Sequence, residues 1–252
     1  MTAMIALAFV AGLAIGSFLN VVIHRLPLGL SVVKPRSRCP HCEHEITPLE
    51  NIPVLSWLFL RGKCSNCKEP ISWRYPAIEL LTAVLFAGVV ADGHQDAARI
   101  ALGLILVTAL IPIAFIDLET QLVPNKITGP AAIALLVFGT VLDPSGEPER
   151  LLAAAIVVIP FAALSLLTTR KFGLGDVKLM GIMGLALGRA LAPALFFAFI
   201  SGTIVGVGIM LRFGMHERKK LIPFGPFLAL GGVFGYFVGS GLMNSYLDTF
   251  NH

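Results

Sequence analysis

The sequence predicts an all-α integral membrane protein with about eight transmembrane helices and a small, zinc-ribbon-like cytoplasmic insert. The 252 residues are 56% hydrophobic and 13% charged, whereas charged residues make up roughly 25% of soluble globular domains. Their mean hydropathy is +0.83. Apolar stretches close to the roughly 20 residues that cross a bilayer recur along the whole length. Basic residues are concentrated between alternate stretches.

Eight apolar stretches are predicted to span the membrane. The first carries no basic residue ahead of it and is too long for a secretory signal, so it is expected to remain as a helix. The sixth is short and contains Gly181, Gly184 and Gly188, which makes it the weakest span. The predicted ranges are 3–23, 76–91, 99–116, 127–142, 151–168, 177–189, 191–211 and 224–243.

The distribution of Lys and Arg predicts the orientation. If the helices alternate in direction, 16 of the 19 basic residues fall on one side, which the positive-inside bias identifies as the cytoplasm. Both termini are then expected in the periplasm. The net charge of +4 is explained by this orientation, so nucleic-acid binding is not needed to account for it. The 16 residues lie in the ranges 25–74, 126, 170–178 and 212–220.

Three regions are predicted along the chain. Residues 1–23 form the first transmembrane helix, residues 24–75 form the cytoplasmic insert, and residues 76–252 form the remaining bundle. Within the first helix, Gly12 and Gly16 make a small-xxx-small pair, which predicts that another helix packs closely there.

The insert contains all four cysteines, in two CxxC pairs. Cys39 and Cys42 are separated from Cys64 and Cys67 by 21 residues, a spacing typical of a zinc ribbon with four cysteine ligands. Disulfides are the alternative, but they persist mainly in oxidising compartments and the insert is predicted to be cytoplasmic. Four thiolates complete a structural site, so the nearby histidines, His41 and His44, are expected to be ordinary loop residues.

Two features near the second helix have more than one interpretation. Residues 52–60 are apolar but too short to span, which indicates an interfacial or re-entrant segment. Trp73 and Tyr75 are typical of an aromatic belt at the headgroup level. Glu79 lies about one turn inside the second helix. Either a structural partner such as Arg74 satisfies it, or it acts at the active site.

Two carboxylates stand at the ends of apolar stretches, on the side predicted to be cytoplasmic. Asp117 ends the third helix, before a short turn after which Asn125 is placed to cap the fourth. Asp176 opens the sixth helix after Gly173 and Gly175, whose small size lets neighbouring segments approach closely.

Carboxylates are costly at the edge of hydrocarbon, so each of these two needs a partner or a function. One interpretation is that Asp117 and Asp176 merely cap helices or lie at the interface. The other is an aspartic dyad that shares one proton, in which an ionised carboxylate activates water and a protonated one polarises a peptide carbonyl. The second interpretation predicts that both residues are catalytic.

Several sequence words, in the same order, resemble the type IV prepilin peptidases, which are leader peptidases and N-methyltransferases of pilin and pseudopilin systems. The resemblance covers nearly the whole chain. The words are GSFLNVVIHRLP from Gly16, the two CxxC pairs, ITPLENIP from Ile46, RYPAIEL from Arg74, IDLETQLVP from Ile116 and GLGDVKL from Gly173. The GxGD word within the last of these is shared with other intramembrane aspartic proteases.

The resemblance implies an activity and a set of site residues. The family removes a short basic leader after a Gly on the cytoplasmic side of the inner membrane, then typically methylates the new N-terminal amine with S-adenosylmethionine. Asp117 and Asp176 match its catalytic aspartates, and Glu79 matches one of its words. Gly173, Gly175 and Lys178 are expected to support the site; Lys178 either biases one aspartate towards its ionised form or anchors the membrane interface. The partners would be prepilins or secretion pseudopilins and the bilayer.

Two other functions fit the sequence less well. A transporter would also bury carboxylates, but near the midplane and often within an inverted repeat, and neither feature is evident in the sequence. A zinc protease would need ligands beyond a saturated four-thiolate site, and no HExxH word occurs. Methyl transfer lacks a glycine-rich nucleotide fingerprint, so its residues are not assigned.

The charge asymmetry predicts the topology directly. A reporter fused after Lys220 should be cytoplasmic, and one fused at the C-terminus should be periplasmic, because one predicted span, 224–243, separates the two fusion points. The measurement is reporter activity in whole cells. Labelling of Cys39 to Cys67 by an impermeant thiol reagent from outside would contradict the orientation.

Overall fold

The computed structural model describes residues 1–92, 96–167, 173–213 and 223–250, and these residues are overwhelmingly helical. Within these ranges no strand forms, only two isolated β-bridges, so the predicted all-α class is confirmed. The helices are α1 (Thr2–Arg25), α2 (Leu55–Phe59), α3 (Arg74–Asp92), α4 (Ala97–Thr120), α5 (Asn125–Leu142), α6 (Glu147–Leu167), α7 (Leu174–Leu187), α8 (Leu191–Phe213), α9 (Gly225–Phe234) and α10 (Ser240–Phe250).

The chain divides into two compact units, Met1–Gln95 and Asp96–His252. In the first unit α1 packs along α3. A Cβ atom added at Gly12 would lie 2.6 Å from the Cα of Ala83, and one at Gly16 would lie 2.7 Å from the Cα of Glu79. The predicted close packing at these glycines is therefore confirmed. The compact units group α3 with α1 and the insert, whereas the three-part division predicted from the sequence groups it with the later helices.

The insert of the first unit is built from two similar knuckles. In one, the Cys39 N–H donates to the carbonyl of His44, and in the other the Cys64 N–H donates to the carbonyl of Glu69. The residue after each second cysteine, Glu43 or Lys68, adopts a positive φ of 56° or 62°. This shared backbone turns each CxxC pair inward without help from a hydrophobic core.

The apolar segment between the knuckles forms the five-residue helix α2. Leu58 and Phe59 are exposed, the latter by 83%, while the Trp57 indole N–H donates to the carbonyl of Ile71 at 3.1 Å. The helix is too short to span a bilayer. Its apolar exposed side chains are consistent with the predicted interfacial segment, whose membrane contact remains a prediction.

In the second unit, α4 is the central helix. Leu106, Leu110, Ile113 and Ile116 on α4 are fully or almost fully buried, because α4 packs against both α5 and α9. Helix α7 contacts α5, α6 and α9, and α8 contacts α9. A Cβ atom at Gly184 would lie 2.6 Å from the Cα of Ala154, which shows how closely α7 approaches α6.

The number of membrane spans remains a prediction. By length and composition, six segments of the described chain could cross a membrane: α1, α3, α4, α5, Leu174–Arg212 and Gly225–Thr249. Leu174–Arg212 contains both α7 and α8, which meet at a short turn where Gly188 has a φ of +54°. Helix α7 has 14 residues, about 21 Å at 1.5 Å per residue, which is less than the ~30 Å hydrocarbon core.

The orientation of the helices in the membrane also remains a prediction. Five of the 16 basic residues on which it rests lie in the ranges 168–172 and 214–222, outside the described residues. The fusion point after Lys220 is in the second of these ranges. The reporter experiment is therefore the direct measurement of the topology.

Candidate active site

Asp117 lies in the last turn of α4, with its side chain turned into the second unit. Only 5% of the residue is exposed. The helix ends at Thr120, and Gln121 takes a left-handed conformation and donates its N–H to the Asp117 carbonyl. The Asp117 carboxylate oxygen Oδ2 accepts a hydrogen bond from the backbone N–H of Gly225 at 2.8 Å. A buried acid thus has a fixed partner from α9, 108 residues later in the sequence.

Gly225 at the start of α9 is a site residue that the sequence analysis did not identify. A Cβ atom there would lie 2.5 Å from Oδ2 of Asp117, closer than a carbon and an oxygen can approach. Glycine is therefore required for the carboxylate to reach this N–H. The only sequence signal was the Pro223-Phe-Gly-Pro226 word, which indicates a bent helix entry and gives no hint of a partner.

Asp176 lies in the first turn of α7 and is partly buried. A Cβ atom at Gly173 would lie 2.8 Å from Oδ2 of Asp176, and one at Gly175 would lie 2.9 Å from the Cβ of Val123. The two glycines therefore let the turn before α5 and the Asp176 carboxylate come close to the backbone of α7, as the sequence predicts.

The two acids are brought together within the second unit. Helices α4, α7 and α9 contact one another, and Val123, six residues after Asp117, packs against Gly175, the neighbour of Asp176. Two carboxylates at adjoining ends of apolar helices can share a proton when they are close enough to interact. In that state one can act as a base while the other donates a hydrogen bond.

Lys178 points away from this pair. Its ammonium group donates to Oδ1 of Asn125 on α5 at 2.7 Å, and two residues along the helix place it roughly 160° around α7 from Asp176. The contact ties α7 to α5 and tests neither of the two roles predicted for Lys178. The prediction that Asn125 caps α5 is wrong: Pro124 occupies the N-cap position without a side-chain cap, and the Asn125 side chain binds Lys178 instead.

Glu79 is buried in the first unit, where it has a structural partner. Its Oε2 atom accepts the backbone N–H of Val54 at 2.7 Å. Val54 has a φ of 59°, a conformation that β-branched residues rarely adopt. Of the two interpretations left open by the sequence, this contact supports the structural one, in which Glu79 holds the strained start of α2 against α3.

The four cysteines converge in the insert. Their ligand atoms all lie within 4.8 Å of one another, and the sulfurs of Cys39 and Cys67 are 3.7 Å apart while those of Cys42 and Cys64 are 3.9 Å apart. All four are free thiols. Four sulfurs placed ~2.3 Å from a tetrahedral metal ion would be separated by about 3.8 Å, so this cluster fits a metal ion.

The surroundings of the thiols agree with a set of metal ligands. The backbone N–H of His44 lowers the pKa of Cys42 to about 6. The pKa of Cys67 is raised to about 12, although the Glu69 N–H donates to it, because burial and the neighbouring sulfurs oppose a further negative charge. A bound cation would relieve that repulsion. The ring nitrogen Nε2 of His44 lies 3.3 Å from Glu50, so this histidine has a partner outside the cluster.

Two family models match the chain. Residues 10–92 match the bacterial peptidase A24 N-terminal domain, and residues 104–207 match the type IV leader peptidase family. No solved structure matches. The two matched ranges fall one in each compact unit, so the family signal covers both the insert and the acid pair.

Curated relatives agree with these matches. The prepilin leader peptidase/N-methyltransferase of Aeromonas hydrophila is 38% identical, in an alignment that covers 97% of this chain and 94% of the relative. The protein of the same name from Bacillus subtilis strain 168 is 36% identical, covering 97% and 98%. The one from Myxococcus xanthus strain DK1622 is 41% identical, covering 82% and 63%. The chain belongs to the type IV leader peptidase family, and the transporter alternative finds no support among these relatives.

The geometry at Gly225 predicts a specific defect. In a Gly225→Ala variant the methyl group would displace the Asp117 carboxylate, and cleavage of a prepilin should slow by about 100-fold, the penalty typical of a misplacement near 1 Å. Single-turnover cleavage in detergent measures it. Gly241→Ala is the matched control, because a Cβ atom there meets nothing within 4 Å. Equal rates for the two variants would show that the Gly225 contact is not needed.

Proposed function

We propose that this chain is an aspartic endopeptidase that removes the leader from type IV prepilins or pseudopilins on the cytoplasmic side of the inner membrane. The observation that carries the proposal is that Asp117 and Asp176 lie at ends of α4 and α7 that pack together, where Val123 meets Gly175. Membership of the type IV leader peptidase family supports the reaction class. The names of the relatives support the substrate and a second activity, N-methylation of the new N-terminus.

In the proposed mechanism the acid pair activates one water molecule. The ionised carboxylate takes a proton from water while the oxygen of that water attacks the scissile carbonyl carbon. At the same time the protonated carboxyl donates a hydrogen bond to the carbonyl oxygen. The resulting tetrahedral intermediate collapses as its carbon–nitrogen bond breaks, and the carboxyl that took the proton from water gives a proton to the leaving amine. The products are the leader with a new carboxylate and the mature chain with a free amine.

The surrounding residues support this pair in the proposal. Gly225 donates its N–H to Asp117 and so fixes the orientation of that carboxylate. Gly173 leaves room beside Asp176, and Gly175 lets Val123 pack against the start of α7. Lys178 ties α7 to α5 through Asn125. In the proposal, these contacts fix the positions of the end of α4 and the start of α7. A dyad needs such support because its atoms must be placed to within a fraction of an ångström.

We also propose that Cys39, Cys42, Cys64 and Cys67 hold a structural zinc ion. Zinc accepts four thiolates in a tetrahedral arrangement, and such closed sites stabilise small segments that lack a core. The sulfur separations in the insert match that arrangement. The metal would then order the knuckles and take no part in peptide cleavage.

Methyl transfer would use S-adenosylmethionine, which supplies an electrophilic methyl group to the amine released by cleavage. The described residues form helices and isolated bridges and provide no strand followed by a glycine-rich turn, the usual nucleotide fingerprint. No residue of this chain is therefore assigned to that cofactor.

The dyad predicts a non-additive loss of activity. Asp117→Asn or Asp176→Asn preserves shape but removes ionisation, so either should slow single-turnover prepilin cleavage by about 10²–10⁴-fold. The double variant should be little slower, because members of one catalytic unit are not additive. Substrate binding should largely survive. Glu119, which is exposed, is the control and should tolerate Gln. Cleavage near the unmodified rate in either folded Asn variant would rule out the dyad.

The metal site predicts both metal content and stability. Purified protein should contain about one zinc per chain, and Cys64→Ser should lower the zinc content and the protease resistance of the insert. Elemental analysis and limited proteolysis measure the two effects. The control His41→Ala should keep the metal, since His41 is exposed. Reduced, intact protein without zinc would refute the assignment.

If the insert serves methyl transfer more than cleavage, the Cys variants should lose methylation first.

A further inference from the structure

A groove in the second unit, formed between α5, α6 and α7, is not used by the proposed peptidase mechanism. It is an open groove with a volume of about 540 Å³, within the range of small-molecule sites. Ala154 and Val158 of α6 and Gly181 and Leu185 of α7 form much of its wall. Its lining is almost wholly apolar along its length, and Gly129 of α5 leaves it wide, because a Cβ atom there would meet nothing within 4 Å.

The polar side chains of the groove are gathered at one end. Asn125 and Thr128 lie in the first turn of α5 and Lys178 in the second turn of α7. The Lys178 ammonium carries three donors, and Asn125 accepts one of them at 2.7 Å. Among the described residues that line the groove none is acidic. The N-terminal end of α5 adds positive potential at the same place.

This arrangement has the amphipathic pattern of a phospholipid. A groove that opens to the bilayer is filled by hydrocarbon, and a lysine at its end attracts a phosphate from the anionic leaflet. The end with Lys178 is also the end with Asp176, which the charge distribution predicts to be cytoplasmic. We propose that the groove is a binding site for one anionic phospholipid, with its acyl chain along Gly129 and Gly181 and its phosphate at Lys178.

The geometry favours a lipid over a substrate helix as the occupant. Lys178 and Asp176 are roughly 160° apart around α7, and Val123 packs against Gly175 at the start of α7. A helix seated in the groove would therefore have its end directed away from the acid pair. A lipid does not need to reach the acid pair, and it would fill the open groove between α5, α6 and α7. The proposal stands independently of the peptidase activity.

Native mass spectrometry of the full-length protein in detergent tests the site, with phosphatidylglycerol and phosphatidylcholine of identical acyl chains as probes. The unmodified protein should bind the first phosphatidylglycerol about fivefold more tightly, the value expected for one lysine near a phosphate. Lys178→Gln should abolish that preference. Lys178→Arg keeps the positive charge and should keep the preference for phosphatidylglycerol. Its result shows whether the loss in Lys178→Gln comes from the missing charge or from a folding defect.

The groove itself is tested by filling it. Gly129→Leu should weaken binding of both lipids by at least about tenfold, because the new side chain enters open space between the helices. Leucine is also a better helix former than glycine, so the fold should persist. Gly208→Leu on α8 is the matched control, since a Cβ atom there also meets nothing within 4 Å; it should bind lipid as the unmodified protein does.

Three outcomes would overturn the proposal. The unmodified protein could show no preference for the anionic lipid. Gly129→Leu and Gly208→Leu could have the same affinity for lipid. Gly129→Leu could abolish the binding of a synthetic single-span apolar peptide and leave phosphatidylglycerol binding unchanged. That result would make the groove a helix-docking surface. Circular dichroism of each variant checks that it is folded. If Lys178→Gln does not fold, Lys178→Arg and the glycine pair decide the result.

Discussion

The buried carboxylate of Asp117 requires a hydrogen-bond donor from the second unit. A charge removed from water costs several kcal/mol unless it is paired or hydrogen-bonded, and a hydrogen bond to a charged group returns about 1.5–3 kcal/mol. The backbone N–H of Gly225 supplies that bond, but only because α9 begins at this residue and carries no Cβ atom there. The end of α4 and the start of α9 are thereby fixed to each other. Asp176 lies at the start of α7, which contacts both of these helices.

Small residues allow the helices to associate closely, whereas in soluble proteins the hydrophobic effect drives helices together. Lipid tails are as apolar as leucine, so membrane helices associate where glycine and alanine let backbones approach closely. Gly16 meets α3 in the first unit, while in the second Gly184 meets Ala154 and Gly175 meets Val123. Where such a glycine faces no neighbour, as at Gly129, a space remains between the helices. The contrast separates glycines that pack helices together from those with open space beside them, of which Gly129 borders the groove.

The insert follows a different principle. Its two knuckles repeat one backbone turn, with a positive φ after the second cysteine of each, and their sulfurs approach one another at the spacing of a tetrahedral metal site. The segment between them is attached through the Glu79 carboxylate, which holds the strained Val54. Hydrogen bonds, together with four thiols placed where they could hold a metal ion, thus take the place of a hydrophobic core in a segment too small to bury one.

The helices, the CxxC pairs and the two acids could be predicted from the residues alone, because composition, periodicity and short spacings are local properties of the chain. The same holds for the glycines that allow close approach of α1 and α7. Packing was needed to identify Gly225 as the partner of Asp117, to turn Lys178 towards Asn125 and away from the acids, and to give Glu79 a partner at Val54. It also moved the N-cap of α5 to Pro124 and grouped α3 with α1. These contacts join residues up to 108 positions apart, and no local pattern encodes which helix faces meet until all of the helices pack.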